Sequence, residues 1–334
     1  MDIIKLLKER ARVLNGTVVL PESNDKRILL AAQQITNEGF SKVVLLGEHE
    51  IIKNDANELD VSLDGIDIIN PEKYECIEEF ANYFFERRQS KGITFQEARN
   101  IVKIPLFFGA LLVQFKKVNG MVAGAYNTTP DVLRAALQVI GVQKGLKTVS
   151  SSFIMVTPNF QGQGDKVFLF ADCAVVPNPT ADQLADITIS TALTRTALLG
   201  DEPKVALLSF STKGSTEHEL VDKVIEAKKI LDERKVNFDF DGELQLDAAV
   251  IEKVGKTKAP NSKVAGSANV LIFPDLQAGN IGYKLVQRFA GAEAIGPVIQ
   301  GLAAPVCDLS RGCSIDDIVS TSALVLLLSN QIDK

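Results

Sequence analysis

The sequence has no tryptophan and only two histidines, His49 and His218, in 334 residues. Catalysis built on imidazole therefore has little material. His49 lies in GEHE and reads as a loop residue after a strand, and His218 reads as an exposed residue in the first turn of a helix. The four cysteines, Cys76, Cys173, Cys307 and Cys313, are scattered and form no CxxC, which argues against a disulfide framework or a structural zinc site. No Walker A sequence is present, and the nearest dinucleotide-type turn, around Gly162 and Gly164, lacks its third glycine. No acidic cluster has two-metal spacing. No apolar run reaches the ~18–20 residues that cross a bilayer. Positive charge is not in excess: the net charge of −6 argues against non-specific nucleic-acid binding. The opening MDIIKLLKERARVLNG is a short amphipathic pattern without a signal-type apolar core, so a soluble, cytoplasmic protein is expected.

What is present is ordinary globular composition, 46% hydrophobic and 23% charged, in a chain long enough for two cores. Short β-branched runs alternate with longer amphipathic ones. TVVLP (17–21), KVVLLG (42–47), IDIIN (66–70) and GMVAGA (120–125) read as strands. Helices are expected after Ser23 or Asn24, from Glu72 to Arg88 with Phe80, Tyr83, Phe84 and Phe85 on its apolar side, and from Pro130 in the first turn of PDVLRAALQVIG. TVSSSFIM, VFLFADCAVV, KVALLSFS and NVLIFPD continue the strands, with helices over 180–199, 215–235 and 278–290. This alternation predicts an α/β fold of two domains with largely parallel sheets. The pattern breaks near 141–147, where GVQKGLK marks a domain change.

The segment with most chemistry is PVCDLSRGCSIDDIV (305–319), which joins a strand to the apolar stretch STSALVLLLSN. Ser310, Arg311, Asp316 and Asp317 fall within eight residues of it. A loop beyond a parallel strand is where α/β proteins build sites. A hydroxyl, a guanidinium that matches phosphate oxygens and a carboxylate suit attack on an acyl phosphate. Ser314 followed by Asp317 is equally a helix capping pattern, and a helix N-terminus stabilises a carboxylate, which makes it a weaker base. A free thiol titrates near ~8.5 and a free Asp near ~3.9, so proton transfer between them is uphill by about 6 kcal/mol. Burial, neighbouring arginines, or proton removal concerted with carbonyl attack must narrow that gap. Arg88, Arg134 and Arg288 are either solvated helix charges or parts of a local cation cluster for an anionic ligand. Thr128 and Thr129 precede the Arg134 helix and can cap it or bind a phosphate there. Gly266, Gly279 and Gly282 allow close backbone approach or tight turns.

At these residues the sequence resembles the phosphate acetyltransferase (phosphotransacetylase) family. The similarity runs nearly end to end, through VVLPESNDKRILLAA, TTPDVLRAALQ, NPTADQLADI, LLSFSTKGS, DGELQLDAAV, KAPNSKVAGSANVLIFPDLQAGNIGYK and DLSRGCSIDD. The resemblance implies reversible acetyl transfer between acetyl phosphate and coenzyme A. It implies two α/β domains in an architecture like the isocitrate and isopropylmalate dehydrogenases, with the site in a cleft between them. The first domain would comprise 1–144 and 298–334, the second 145–297. It implies a cytoplasmic homodimer with no permanently bound cofactor, coenzyme A being a substrate, and no metal in the chemical step. Carried over by motif, the base falls on Asp317, which the residues alone do not separate from Asp316. The catalytic serine falls on Ser310 and its neighbouring arginine on Arg311. Arg88, Arg134, Arg288 and Thr129 fall on substrate-binding positions. Asn127, Pro130 and Ile104 depart from the family's usual His, Ala and Asp.

The expected reaction is direct attack of the thiol in a ternary complex. Asp317 takes the thiol proton, and Ser310 and Arg311 stabilise the developing charge. No covalent acyl-enzyme is expected, because no Cys–His pair is in evidence. Three alternatives stand beside this reading: the same chemistry on propionyl or butyryl phosphate, a dehydrogenase on a similar scaffold, and a non-catalytic coenzyme A-binding protein.

Overall fold

Buried β-branched runs set the first sheet. In the computed structural model, which describes residues 2–332, the chain divides into two compact units. One comprises Asp2–Gln143 with the segment from Leu302 onward, and the other Lys144–Gly301. Met1 and residues 333–334 of the expected first domain lie outside the described residues.

The first unit contains α1 (Ile3–Leu14), β1 (Thr17–Leu20), α2 (Lys26–Glu38), β2 (Lys42–Leu46), α3 (His49–Glu58), β3 (Ile66–Ile69), α4 (Ile77–Arg88), α5 (Phe95–Ile101), α6 (Pro105–Gln114), β4 (Gly120–Ala123) and α7 (Thr129–Val139). The second unit contains β5 (Ser150–Thr157), β6 (Lys166–Ala171), α8 (Ala181–Leu199), β7 (Lys204–Leu208), α9 (Glu219–Arg234), β8 (Asp239–Leu244), α10 (Leu246–Val250), α11 (Glu252–Lys258), β9 (Val270–Ile272), α12 (Leu276–Phe289) and β10 (Glu293–Gln300). The chain then returns to the first unit with β11 (Val306–Asp308) and α13 (Ile315–Ile332).

The first sheet has the order β11-β4-β1-β2-β3 and is parallel throughout. Val18, Val19, Leu20, Val43 and Leu45 are fully buried, as expected of strands covered on both faces. The order reverses direction between β1 and β4, which creates a crevice beyond their carboxyl ends. The second sheet has the order β10-β5-β6-β9-β7-β8. In it β5 pairs antiparallel with both β10 and β6, and the remaining pairs are parallel. The two sheets together are thus mostly parallel. The exception has a physical cause. Residues 158–165 between β5 and β6 are too few for a crossover helix, so the chain turns back on itself.

Several boundaries move from their expected places. The cap of α2 is Asp25, whose side chain accepts from Arg27 N–H, while Ser23 Oγ donates instead to the Leu46 carbonyl at 2.5 Å. The helix expected from Glu72 begins at Ile77, because Pro71–Lys73 forms a separate turn capped by Asn70. Of its aromatic residues only Phe80 and Phe84 are fully buried. His49 opens α3 rather than lying in a loop, and His218 is the cap of α9, accepting from Leu220 N–H. The strand β8 carries Asp241, Glu243 and Gly242, residues that do not read as a strand. Its acids find partners in the folded chain: Asp241 pairs with the Lys213 ammonium, and Glu243 accepts from Ser211 Oγ and Gly214 N–H. Helix α6 has no apolar face to read, since nearly all of it is buried. No helix among the described residues is long and apolar enough to cross a membrane.

Gly279 lets α12 lie against the turn after β6: a Cβ built there would sit 2.1 Å from the Asp172 carbonyl oxygen. Backbone cannot yield as a side chain does. Gly279→Ala is therefore expected to lose about 1–3 kcal/mol of stability despite alanine's better helix propensity, seen as a lower urea midpoint.

Candidate active site

Three loops meet beyond the carboxyl ends of β1, β4 and β11, at the point where the strand order reverses. Glu22 organises them. It is 2% exposed, yet both its oxygens are satisfied. Oε2 accepts from the N–H groups of Gly124 and Ala125 at 2.9 and 2.8 Å, and Oε1 accepts from Asn127 N–H and Nδ2 at 2.8 Å each. A buried carboxylate in an α/β sheet is tolerated only with such compensation. Here the compensation shapes the loop that leads into α7. Gly124 has φ +111°, and an added Cβ would lie 2.5 Å from the Leu309 carbonyl oxygen and 2.6 Å from Asp308 Oδ1. Only glycine lets the β4 and β11 loops approach this closely.

Arg27 ties the third loop down. Its guanidinium pairs with Asp25, and it donates to the carbonyls of Ala125, Arg311 and Cys313 at 2.8, 2.9 and 2.8 Å. The bond to Arg27 holds the Asp25 carboxyl below its ordinary range. With its backbone held this way, the segment Ser310–Cys313 makes a turn in which Cys313 N–H donates to the Ser310 carbonyl. Ser310 and Arg311 are exposed on it, and Ser310 Oγ accepts from Gly312 N–H at 3.2 Å.

The two acids beyond this turn separate. Asp317 makes the capping arrangement with Ser314: its Oδ2 accepts from Ser314 N–H at 2.8 Å and from Ser314 Oγ at 2.9 Å, and Asp317 N–H donates back to that hydroxyl. Asp316 turns toward α2, where Gln34 Nε2 donates to it at 3.4 Å. Asp317 Oδ1 has no hydrogen-bond partner among the described residues, so one oxygen caps the helix and the other is open.

The threonines also divide their roles. Thr128 caps α7 by accepting from Asp131 N–H, and Thr129 Oγ1 donates to Asp308 Oδ2 at 2.5 Å. Asp308 is 4% exposed, and its Oδ1 has no partner. Burial and, secondarily, the Glu22 charge raise its pKa to about 6, against the opposing bond from Thr129.

Arg134 sits on the first turns of α7 and pairs with Asp131 at 2.8 Å. Arg88 closes α4 and has no ion-pair partner among the described residues. Neither is bonded to Ser310, Arg311 or Asp317. Arg288 lies in the last turn of α12, in the other unit, and is exposed. The Cys313 thiol is buried and pushed up by burial against the pull of Arg27, and the Cys173 thiol is pushed well up by burial, so neither is a ready nucleophile. Among the described residues no group of acids, histidines or cysteines is placed to hold a metal ion.

Glu22, Arg27 and Asp308 are not found by reading motifs. Each is a charged residue at the end of an apolar strand or the start of the following helix. Only the strand order shows that they converge. The carboxylate of Asp308 gives a pH test. Raising its pKa from 3.8 to about 6 means that the folded state carries a cost of roughly 3 kcal/mol once the group is ionised. That cost is absent below pH ~4 and complete above pH ~6, so this group lowers stability as pH rises through that window. Asp308→Asn should remove this contribution, seen as a flatter dependence of the urea midpoint on pH between 4 and 7.

A family described as Phosphate acetyl/butaryl transferase matches residues 2–326 of the chain. A phosphate acetyltransferase of Thermoanaerobacterium thermosaccharolyticum is 51% identical over 323 residues, covering 97% of this chain and 98% of the relative. One from Clostridium acetobutylicum is 48% identical over 327 residues, 98% of each chain. A solved phosphotransacetylase from Streptococcus pyogenes has a TM-score of 0.91 at 39% identity, covering 99% of this chain and 98% of that one. A 4-hydroxythreonine-4-phosphate dehydrogenase from Klebsiella pneumoniae shares the fold, with a TM-score of 0.51 at 10% identity and coverage of 94% and 99%.

Proposed function

The chain belongs to the phosphate acetyl/butyryl transferase family, and from that premise we propose that it transfers an acetyl group reversibly between acetyl phosphate and coenzyme A. The observation that carries the reading is the turn after β11. There an exposed hydroxyl and guanidinium, Ser310 and Arg311, precede a carboxylate with one open oxygen, Asp317.

The chemistry follows from these groups. The thiol of coenzyme A attacks the acetyl carbonyl of acetyl phosphate. The S–C bond forms, the C–O bond to phosphate breaks, and the thiol proton passes to Asp317 Oδ1 and from there to the released phosphate. Capping and proton transfer use different oxygens of Asp317, so the two roles coexist. A carboxylate is a much weaker base than a thiolate, so removal of the proton is concerted with carbon–sulfur bond formation and no free thiolate accumulates. Ser310 Oγ donates to the developing oxyanion or to the leaving phosphate, and the Arg311 fork neutralises the same charge. No thiol of the protein takes part, in keeping with the raised Cys313 and Cys173.

Thr129, at the start of α7, contacts the phosphoryl group, and Arg88, Arg134 and Arg288 meet the anionic parts of the two substrates. The enzyme works as a cytoplasmic homodimer, binds no resident cofactor and uses no metal in the chemical step. Acetyl is favoured over longer acyl groups because the relatives covering nearly the whole chain are named for it.

Consumption of acetyl phosphate that depends on coenzyme A, followed as thioester formation without added metal or nucleotide, tests the activity. Comparison of acetyl, propionyl and butyryl phosphate tests the acyl preference. Asp317→Asn keeps an acceptor for Ser314 but loses the base. It should lower kcat by ~10²–10³ or more while leaving the melting temperature and the KM for coenzyme A nearly unchanged. Ser310→Ala should fall ~10²–10³ in kcat. Wild-type turnover in either variant removes that residue from the mechanism.

A further inference from the structure

Among the described residues of the first unit, Asp308 is the one buried acid whose carboxylate keeps an oxygen without a partner. Its other oxygen is bonded to Thr129, the residue that the proposed function sets against the phosphoryl group. We infer that Asp308 is a positioning residue whose protonation decides which way the Thr129 hydroxyl points, and thereby how tightly the phosphoryl anion is held. The inference rests on the placement of Thr129 at the substrate.

A threonine hydroxyl has a single hydrogen. When Asp308 is ionised it can only accept, so Thr129 directs that hydrogen to Oδ2 and presents lone pairs to whatever lies on its exposed side. Lone pairs repel a phosphoryl oxygen. When Asp308 is protonated, its O–H donates to Thr129 Oγ1. The threonine hydrogen then turns outward, where it can bind an anionic oxygen beside the N-terminus of α7. An anion bound there favours the neutral form of Asp308, so binding is coupled to proton uptake.

The surroundings raise the titration of Asp308 toward neutral pH, so that the group is mostly ionised at pH 7 and free to take up a proton when an anion binds. Glu22, from the end of β1, faces it with a like charge and is itself locked by four donors. On α7, Asp131 is turned to Thr128 and Arg134, and at the start of α13 Asp317 is turned to Ser314. On α2, Arg27 is paired with Asp25. No cation among the described residues neutralises Asp308 directly, and burial brings its titration to about pH 6. The two histidines lie on α3 and at the cap of α9, away from these elements in the sequence and without bonds to them.

The test varies acetyl phosphate at saturating coenzyme A between pH 5.5 and 8, a range above that in which its phosphoryl group titrates. In the wild type KM should rise with pH by roughly 10- to 100-fold, the worth of one hydrogen bond to a charged group, with kcat changing less. Asp308→Asn, whose amide donates permanently to Thr129, should have a low KM that does not change with pH. Thr129→Val should have a high and flat KM. If Asp308→Asn keeps the wild-type pH profile while Thr129→Val raises KM, Asp308 is only structural and the inference falls while the substrate site stands. If Thr129→Val binds acetyl phosphate like the wild type, the placement of Thr129 fails and the inference fails with it. A measurement on the unaltered protein guards against a variant that does not fold. Sulfate, which does not titrate in this range, is bound calorimetrically at pH 7 in buffers of differing ionisation heat. Uptake of most of one proton is expected, and binding without proton uptake overturns the inference.

Discussion

Glu22 is a charged side chain removed from water at the carboxyl end of β1, and the geometry of the first unit's crevice follows from the need to satisfy it. A carboxylate in that position costs several kcal/mol unless its lone pairs are filled. The donors that fill them are three backbone N–H groups and one side-chain amide of the loop after β4. Satisfying the acid therefore fixes the loop, and the loop fixes where α7 begins. From there the order is transmitted through short contacts. Thr128 caps the helix, Thr129 reaches Asp308, and Gly124 lets β11's loop pass close by.

The turn after β11 is held by different means. Arg27 grips its backbone carbonyls and leaves the side chains of Ser310 and Arg311 outward. Such a division suits the catalytic role proposed for this segment. The main chain is fixed by a cation that is itself paired with Asp25, so the charge spent on anchoring is not taken from the exposed Arg311. Asp317 shows the same economy within one carboxylate, one oxygen terminating a helix and the other left open. Preorganisation of this kind is what lets modest groups stabilise a transition state, because nothing has to reorient during the reaction. The two buried carboxylates, Glu22 and Asp308, differ in consequence. The first meets four donors, whereas the second meets only the Thr129 hydroxyl and keeps an oxygen bare, so burial dominates its titration.

Much of the first unit was legible because its strands are buried on both faces and read as unbroken apolar runs. TVVL, KVVLL and IDII lie where their composition places them. The Ser310–Asp317 segment was also legible, since a polar loop between a strand and an apolar helix is visible in one dimension. Strand β8 was hidden by its own acids, whose partners, Ser211 to Gly214, lie some thirty residues away. The antiparallel neighbours of β5 were hidden because a strand's direction is not written in its residues. The start of α12 was placed two residues late because its cap, Asp275, follows a proline that looked like the end of a strand.

The sequence by itself determined the α/β class, the near-end-to-end family likeness and the residue types available for acyl transfer, because these depend on local pattern and on order along the chain. The tertiary structure alone decided that Glu22, Gly124, Arg27 and Asp308 belong to one crevice, and that Asp316 turns toward Gln34 of α2. It did so because strand order brings together loops up to 286 residues apart, as in the bond from Arg27 to Cys313. Whether a buried acid is quiet or titratable depends on how many donors that folding delivers to it.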